Sequence, residues 1–395
     1  MGIKILVVDD EPDFELLIRQ KFRKEIKDET YSFAFASNGV EALSAIEADK
    51  DIDIVLTDIR MPKMDGLVLL GEMNALDRPL KAIVVSAYGD MKNIRAAMNE
   101  GAFDFVTKPI DFNDLEKTFQ KTAALCEMVK KARIAKKELG EINAELRIAR
   151  KIQDSIIPNQ FNLFPNNQAI DINGLIKPAK DVGGDFFDII TIDETHFGVL
   201  IADVSGKSIS AALFMAIART LIHSISMYTS SPLTIIRLAN QILTENNKSF
   251  MFVTVFLCTI DIQTGMVCFC NAGHHHPLVL HENETIEEVN TFSGMPLGIV
   301  GEDPNSDETK FQENCFQLQS GDALVLYTDG VLEAFNENDE MFGFKGLKES
   351  LKKCANKSAA NITGQIMHDV ESHIGTFTQW DDISLVAIRY QPEKS

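Results

Sequence analysis

Positive charge is scarce in this sequence of 395 residues. Lys and Arg total 38 against 58 Asp and Glu, which gives a formal net charge of −20 at pH 7. Nucleic-acid binding depends on clustered Lys and Arg that neutralise phosphates, so this composition argues against that function. A hydrophobic stretch as long as a membrane span and a signal peptide are not expected either, because the chain starts directly with a strand pattern. We therefore expect a cytoplasmic protein that binds neither nucleic acid nor a membrane.

Cysteine is also sparse. The six cysteines are scattered and form no Cys-x-x-Cys pair, and disulfides are rare in reducing compartments. We expect no disulfide, with Cys268 and Cys270 packing as small hydrophobic residues from one strand. The triplet His274–His276 could suggest a metal site. Adjacent residues point alternately on a strand and do not share a helical face, so we expect a structural role or a place at a substrate rim.

Four short acidic signatures stand out in the C-terminal half. Each places a carboxylate where an apolar, strand-like run ends in a turn. Carboxylates gathered from distant strand ends repel one another unless a cation lies among them, and Mg²⁺ and Mn²⁺ prefer such oxygen-only sites. The pattern therefore predicts a metal-dependent phosphatase. The signatures are Gly183–Asp188, Ala202–Lys207, Tyr327–Gly330 and Trp380–Ser384.

These segments resemble the PPM-type Ser/Thr protein phosphatases, in the bacterial (SpoIIE-like) branch that includes the sporulation phosphatase and stress-response regulators. The similarity extends from about Ala149 to Tyr390 and includes Lys177–Ala179 and Asn271–His274. A single Asp-Gly pair would be uninformative because turns are rich in it, but four signatures in the family's order are specific. The resemblance implies an α+β domain, a central β-sandwich flanked by helices, that hydrolyses phosphoserine or phosphothreonine.

The same resemblance implies two Mn²⁺ or Mg²⁺ ions and a set of ligands for them. Asp203 would bridge both ions, and within the Asp381-Asp382 pair the first residue is the expected ligand. Asp188 is either a neighbour of the ligands or simply a turn residue. The full ligand set implied by the family is Asp185, Asp203, Val204 through its carbonyl, Asp329 and Asp381.

The N-terminal region alternates strand and helix patterns. Its apolar, strand-like runs end in charged or polar residues, and helical patterns lie between the runs. This alternation predicts a doubly wound α/β domain, whose functional groups lie at the carboxyl ends of parallel strands. The residues at those ends are Asp9, Asp10, Asp58, Ser86 and Lys108.

That constellation resembles the receiver domain of two-component response regulators, a five-stranded parallel sheet, over residues 1–121. The implied partner is a histidine kinase, and a cis Lys108–Pro109 peptide bond is implied as well. The family pattern makes Asp58 the phosphoacceptor and a Mg²⁺ ligand together with Asp9 and Asp10. It also assigns phosphoryl binding to Ser86 and Lys108, and an aromatic switch to Phe105.

Residues 122–157 differ in composition from both flanking regions. From Glu127 to Lys151 there are eight Lys and Arg against four Asp and Glu, and no proline occurs from Asn113 to Ile157. Apolar or small residues recur at alternating spacings of three and four, typical of a coiled coil, with a phase slip near Gly140. We expect a helical linker that pairs in a parallel homodimer. A monomeric linker helix with a solvated basic face is the alternative.

Together these patterns predict a response regulator whose output domain, residues 158–395, is an enzyme. Phosphorylation of Asp58 would control a metal-dependent protein phosphatase. Its substrate, by family resemblance alone, would be a phosphorylated anti-sigma-factor antagonist. One alternative is a catalytically inactive phosphatase-like adaptor that binds a partner under receiver control. Another is a constitutive phosphatase whose N-terminal domain only dimerises. The complete acidic sets argue against both alternatives.

Overall fold

The computed structural model describes residues 2–76, 78, 80–161, 169–290, 292–301 and 310–392. The chain divides into two units, residues 1–142 and 143–395. The division falls inside one long helix, Phe112–Ile156. The region predicted to be a helical linker is therefore helical.

Unit 1 is a parallel five-stranded sheet with helices on its faces. The strand order is β2-β1-β3-β4-β5, and the order reverses direction between β1 and β3, so the carboxyl ends of these two strands border a crevice. The strands are β1 (Ile3–Val8), β2 (Tyr31–Ala36), β3 (Ile52–Asp58), β4 (Lys81–Ala87) and β5 (Asp104–Lys108). The helices are α1 (Pro12–Lys21), α2 (Arg23–Lys27), α3 (Gly39–Ala48), α4 (Gly66–Ala75), α5 (Met91–Asn99) and α6 (Phe112–Ile156). The predicted doubly wound α/β fold is confirmed.

The first part of α6 is packed into unit 1. Leu115, Phe119 and Cys126 are buried in the core formed with the sheet, where removal of apolar surface from water stabilises the helix. Farther along, the ammonium of Lys130 pairs with the carboxylate of Asp53, which is buried at the start of β3. The helix continues without interruption through Gly140.

Unit 2 contains two five-stranded antiparallel sheets. Their strand orders are β13-β10-β9-β8-β7 and β12-β11-β14-β15-β6. The strands are β6 (Ile170–Lys177), β7 (Phe186–Thr191), β8 (His196–Val204), β9 (Val253–Asp261), β10 (Met266–Ala272), β11 (Leu278–Leu280), β12 (Ile286–Glu288), β13 (Glu313–Gln317), β14 (Ala323–Tyr327) and β15 (Ile383–Tyr390). The helices are α7 (Ile209–Ser226), α8 (Pro232–Asn246), α9 (Asp329–Leu332), α10 (Gly343–Lys352) and α11 (Ala359–Ile374).

Three hydrophobic layers hold unit 2 together. One lies between the sheets and joins residues such as Phe256 of β9 and Val386 of β15. A second packs α7 and α8 onto the first sheet, and a third packs α10 and α11 onto the second. Alternate residues of a strand face opposite sides, so strands covered on both sides read as continuous apolar runs. The predicted β-sandwich flanked by helices is confirmed.

The expectation that the chain forms no disulfide was wrong. Cys268 and Cys315 are disulfide-bonded across β10 and β13, with 4.1 Å between their Cα atoms. They are directly opposite residues in the antiparallel register of the two strands, where side chains lie close together. The sequence separation of 47 residues hides this pairing. Cys270, as expected, is buried in the core.

The expectation about membrane-length stretches also needs correction. Within the described ranges, α7 is one helix of 18 residues that is long and apolar enough to cross a membrane by length and composition. Its inner residues, including Ala211, Met215 and Ala218, are buried against the first sheet. Such a pattern is also that of a helix packed in a protein core.

Candidate functional sites

The carboxyl ends of β1, β3 and β5 bring acidic and basic residues of unit 1 together. Lys108 Nζ lies 2.5 Å from Asp58 Oδ2 and 3.4 Å from Asp9 Oδ2. Asp10 follows Asp9 and lines the cavities beside it. The sequence placed these residues at strand ends, and the structure places them at one edge of the sheet.

Burial and charge shift the proton affinities of this cluster. Burial raises the pKa of Asp9, with the nearby charge of Asp58 adding to the shift. For Lys108, burial alone would lower the pKa, but the hydrogen bond and charge of Asp58, followed by the charge of Asp9, raise it above its ordinary value. The ammonium is therefore held in its charged form and compensates neighbouring carboxylates.

The remaining receiver residues lie on adjacent strands. Ser86 is the second-last residue of β4, and its buried hydroxyl has no hydrogen-bond partner among the described residues. Because a buried hydroxyl without a partner costs free energy, this group suits a ligand that accepts its hydrogen bond. Phe105 on β5 has 38% of its surface exposed. The Lys108–Pro109 peptide bond is cis, as the sequence resemblance implied.

In unit 2, the first two acidic signatures meet at the ends of β7 and β8. Asp185 is almost fully buried, and Thr328 donates a 2.7 Å hydrogen bond to its Oδ2. The carboxyl groups of Asp185 and Asp203 interact with each other, and the charge of Asp203 raises the pKa of Asp185. Two neighbouring carboxyl groups of this kind are stabilised when one of them carries a proton or when a cation lies between them.

The other two signatures meet beside them. Ligand oxygens of Asp329, Asp381 and Glu333 all lie within 4.8 Å of one another. Sequence analysis did not single out Glu333. Asp329 begins α9 and Glu333 follows it by four residues, a spacing that puts both side chains on one helical face. Lys207 partly compensates this group, with Nζ 2.6 Å from Asp381 Oδ2.

The pKa values of these carboxyl groups are raised by burial and by the negative charge of their neighbours. Burial, followed by the charge of Asp329, raises the pKa of Asp203 to about 7. Burial, followed by Asp381 and Glu333, raises the pKa of Asp329 to about 6. Burial and the charge of Asp203 raise the pKa of Asp185 well above its ordinary value. The cluster therefore favours the addition of positive charge, whether as protons or as metal ions.

The adjacent residues Asp381 and Asp382 make different contacts. Asp382 is buried, and its two oxygens accept hydrogen bonds of 2.8 Å from the Ala179 N–H and 2.7 Å from the Gly184 N–H. These bonds hold the loop that precedes Asp185. Asp381 Oδ2 instead faces Lys207 and the acidic group. This division favours Asp381 as the ligand, as expected from the sequence.

Glycines in the signatures allow the loops to approach closely. A Cβ atom on Gly184 would lie 2.9 Å from the Val204 carbonyl oxygen, and one on Gly330 only 1.9 Å from the Asp382 carbonyl oxygen. Cβ atoms in proteins essentially do not occur at either distance, because both are below 3.0 Å. The loops that carry Asp185, Asp329 and the Val204 carbonyl can therefore converge only because these positions lack side chains.

The donor set of unit 2 fits hard divalent cations. It consists of carboxylates with the Val204 carbonyl nearby, and oxygen ligands are what Mg²⁺ and Mn²⁺ prefer. Within the described part of the chain, Asp329 Oδ1 is buried without a hydrogen-bond partner. A buried carboxylate oxygen without a partner costs free energy that coordination to a cation would recover.

The last part of α6 touches the same site. Gln153 is buried, and its amide forms two hydrogen bonds with the backbone of Gly183, 2.6 Å to the carbonyl oxygen and 3.1 Å from the N–H. Gly183 begins the signature that carries Asp185. The linker helix is therefore tied to the loop of a candidate ligand, a contact that sequence spacing did not reveal.

Asp188 is neither a turn residue nor a neighbour of the ligands by its observed contacts. It lies within β7, where Arg219 donates a 3.0 Å hydrogen bond to it and His223 Nδ1 lies 2.7 Å from its other oxygen. Both partners belong to α7. Asp188 thus fastens α7 to the first sheet.

For the histidine triplet, sequence analysis expected either a structural role or a place at a substrate rim. The contacts of His274 are structural. It is buried, and burial lowers its pKa to about 3, so its ring is neutral. Nε2 lies 3.1 Å from the Tyr327 carbonyl oxygen and must donate to it. Nδ1 then accepts from the Thr254 hydroxyl at 2.9 Å.

Comparison with known proteins identifies both units. A family model described as stage II sporulation protein E (SpoIIE) matches residues 193–391, about half of the chain, and one described as response regulator receiver domain matches residues 5–120. Protein IcfG of Synechocystis sp. is 31% identical over 277 residues, 63% of this chain. The chain spans 42% of the length of that relative.

Two further proteins are each similar to somewhat less than two thirds of the chain. Phosphoserine phosphatase RsbU of Bacillus subtilis is 27% identical over 261 residues, which cover 63% of this chain and 71% of RsbU. The solved structure of the SiaA-PP2C domain of Pseudomonas aeruginosa has a TM-score of 0.56 at 20% identity, and it covers 64% of this chain and 99% of that domain. The structural likeness shows a shared PP2C-type fold.

Proposed function

Because the chain belongs to the stage II sporulation protein E (SpoIIE) family and carries a response regulator receiver domain, we propose that it is a metal-dependent protein serine/threonine phosphatase controlled by phosphorylation of Asp58. The observation that carries the enzymatic part is the crowded carboxylate group of unit 2, with its raised pKa values and the buried, unpartnered oxygen of Asp329. Such a group is costly to maintain in a protein that only binds a partner.

We assign the two-ion site to Asp185, Asp203, the Val204 carbonyl, Asp329 and Asp381, with Mn²⁺ or Mg²⁺ as the ions. When bound, the ions would polarise the phosphoryl group and activate water. The protein's own groups position the ligands. Thr328 orients the Asp185 carboxylate, Asp382 holds the loop before it, and Lys207 offsets part of the charge of Asp381.

Control by the receiver is supported by the cluster in unit 1 and by α6. Asp58, Lys108 and the unpartnered Ser86 hydroxyl are suited to accept and bind a phosphoryl group, with Mg²⁺ held by Asp9, Asp10 and Asp58. The donor of that group would be a histidine kinase. α6 is packed with the receiver core at Phe119 and bonded to the Gly183 loop through Gln153, so a shift of this helix would reach the Asp185 loop.

Dimerisation through the linker belongs to the same proposal. Leu139 and Ile142 belong to the apolar repeat of the linker, and 58% and 51% of their surfaces are exposed. In a parallel coiled coil these side chains would be buried against the same residues of a second chain. A dimer of this kind would couple two receivers to two phosphatases. The cytoplasm, where a kinase could reach Asp58, is the proposed location.

As the substrate we propose an anti-sigma-factor antagonist that carries phosphoserine or phosphothreonine. Support comes from the family resemblance and from the similarity to RsbU, which is named a phosphoserine phosphatase. Dephosphorylation would allow such an antagonist to sequester its anti-sigma factor.

Hydrolysis of p-nitrophenyl phosphate tests the enzymatic part. We expect turnover by the full chain with Mn²⁺ and none after chelation, and Asp203→Asn should lower it about 100-fold or more because a ligand is lost. The matched control is Asp369→Asn. Asp369 lies on α11, outside the acidic group, and its carboxylate pairs with Lys353. Absence of metal-dependent turnover in the unchanged protein would favour the adaptor function instead.

Acetyl phosphate tests the control by the receiver in the same assay. It should change the rate of the unchanged protein and leave the rate of Asp58→Asn as it was. A rate that responds equally in both proteins, or in neither, would contradict control through Asp58.

A further inference from the structure

A cavity of about 340 Å³ lies in unit 2, and no ligand has been assigned to it so far. Its walls combine aromatic rings with polar groups. The His275 ring stacks on the Tyr327 ring at 5.7 Å between centroids and an interplanar angle of 21°. The lining consists of Gly273, His274, His275, His276, Glu288, Tyr327, Leu332 and Phe344.

The cavity is adjacent to the metal-ligand cluster. Leu332 of its lining is the last residue of α9, the helix that begins with Asp329. Glu333, whose carboxylate belongs to the acidic group around Asp329, also acts electrostatically on His275 in the cavity wall. A polypeptide whose phosphorylated side chain reached the acidic group would therefore have a neighbouring residue close to this cavity.

The lining of the cavity contains one carboxylate and no Lys or Arg. That carboxylate belongs to Glu288, whose charge acts on the neighbouring Tyr327. His274 is neutral because burial lowers its pKa to about 3, and burial also lowers the pKa of His275. His276 contributes a buried Nδ1 atom without a hydrogen-bond partner in the described ranges. These groups offer a cation a carboxylate, ring faces and an available ring nitrogen.

The aromatic part of the lining is suited to the same ligand. A cation over a ring face is attracted by the negative charge of the π system. Phe344 already has such a contact, since the ammonium of Lys348 lies 4.3 Å from the centre of its ring. Tyr327 and His275 present two further rings, and Glu288 lines the same cavity.

We propose that this cavity is a subsite for an arginine or lysine side chain of the protein substrate, near the phosphorylated residue in sequence. The proposal rests on the phosphatase function proposed above. An acidic side chain would be repelled by Glu288 and Glu333, and a purely aliphatic one would leave the polar groups of the lining without partners. A basic side chain pairs with the carboxylate and covers the rings at the same time.

Phosphoserine peptides of otherwise neutral sequence test the subsite. Each peptide carries one Arg, or its neutral isostere citrulline, within about four residues of the phosphoserine, and phosphate release by the full chain is measured with Mn²⁺. At one position we expect Arg to raise kcat/KM about threefold to tenfold over citrulline, mainly through KM, as expected for one charge-assisted contact at a partly exposed site.

Glu288→Gln should reduce this Arg-to-citrulline ratio to about one. The matched control is Glu287→Gln, the neighbouring residue on β12, whose carboxylate contacts His281 outside the cavity. It should retain the ratio of the unchanged protein. Because each ratio is measured within one protein, differences in folding or metal loading cancel.

The outcomes separate the two proposals. Phosphate release without any Arg preference, or a preference that persists in Glu288→Gln, would overturn the subsite and leave the phosphatase function intact. Absence of phosphate release from every peptide by the unchanged protein would overturn the phosphatase function, and the subsite with it.

Discussion

Asp58 in unit 1 has the ammonium of Lys108 at 2.5 Å, whereas Asp203 in unit 2 interacts with the carboxyl group of Asp185 and lies in the field of Asp329. Both are carboxylates at strand ends in partly buried sites. In unit 1 one ammonium contacts both Asp58 and Asp9 and offsets part of their charge, whereas in unit 2 the ammonium of Lys207 contacts Asp381. In unit 2 the pKa of Asp203 rises to about 7, so the cluster binds protons or metal ions to become balanced. The comparison indicates that metal binding contributes more to the stability of unit 2.

The largest expected effect is a pH-dependent stabilisation of unit 2 by Mn²⁺. The folded pKa values of Asp203 and Asp329, about 7 and about 6, exceed those of an unfolded chain, about 4. Without metal, the stability from these groups is therefore present below about pH 4 and is lost as the pH rises through 7. At pH 8, Mn²⁺ at 100 times its Kd should add about 2.7 kcal/mol.

Differential scanning calorimetry of the full chain, in EDTA and in Mn²⁺, measures this effect. In EDTA the transition of unit 2 should move to lower temperature from pH 5 to pH 8, and Mn²⁺ should reverse the shift. The Asp203→Asn variant identifies the transition, because it should show a weaker pH dependence. Equal pH and metal responses of both units would contradict the comparison.

A smaller effect should separate the two neighbouring aspartates of unit 2. Asp382→Asn removes one of the oxygens that accept the Ala179 and Gly184 N–H groups, and a buried donor without an acceptor costs about 1–3 kcal/mol. Asp381→Asn should instead lower Mn²⁺ affinity and change stability little in EDTA. Calorimetry and Mn²⁺ titration of both variants measure the two effects. If Asp382→Asn lowered Mn²⁺ affinity and Asp381→Asn lowered stability in EDTA, Asp382 would be the ligand instead.

The smallest effect is expected from removing the cation of unit 1. Lys108→Met leaves Asp9 and Asp58 without their shared partner, and unit 1 should lose about 1 kcal/mol, since the side chain is partly exposed. Mg²⁺ should then restore stability, as Mn²⁺ does in unit 2. Lys121→Met is the matched control because its ion pair with Asp104 is at the surface. Loss of stability without Mg²⁺ rescue would show that Lys108 acts through packing instead.

Much of the fold was predictable because it depends on local pattern. The apolar runs that become β1, β3 and β4 are mostly buried, and the functional residue expected from the sequence lies within one residue of each strand's end. The linker was predictable as a helix for the same reason, because apolar residues spaced three and four apart are a pattern within a short stretch of sequence. Sequence analysis expected no stretch of membrane-spanning length, yet α7 is one by length and composition. A core helix that packs on a sheet can be as apolar as a membrane-spanning helix.

The sequence by itself determined which side chains end the strands, and thus the identity of the acidic residues in both units. Only the tertiary structure decided how those residues share their contacts. It paired Cys268 with Cys315, turned Asp382 toward backbone N–H groups, and tied Asp188 to α7. It also joined Glu333 to the acidic group and formed the cavity beside it. The physical reason is that strand pairing, hydrogen-bond competition and burial join residues far apart in the chain, which local periodicity does not record.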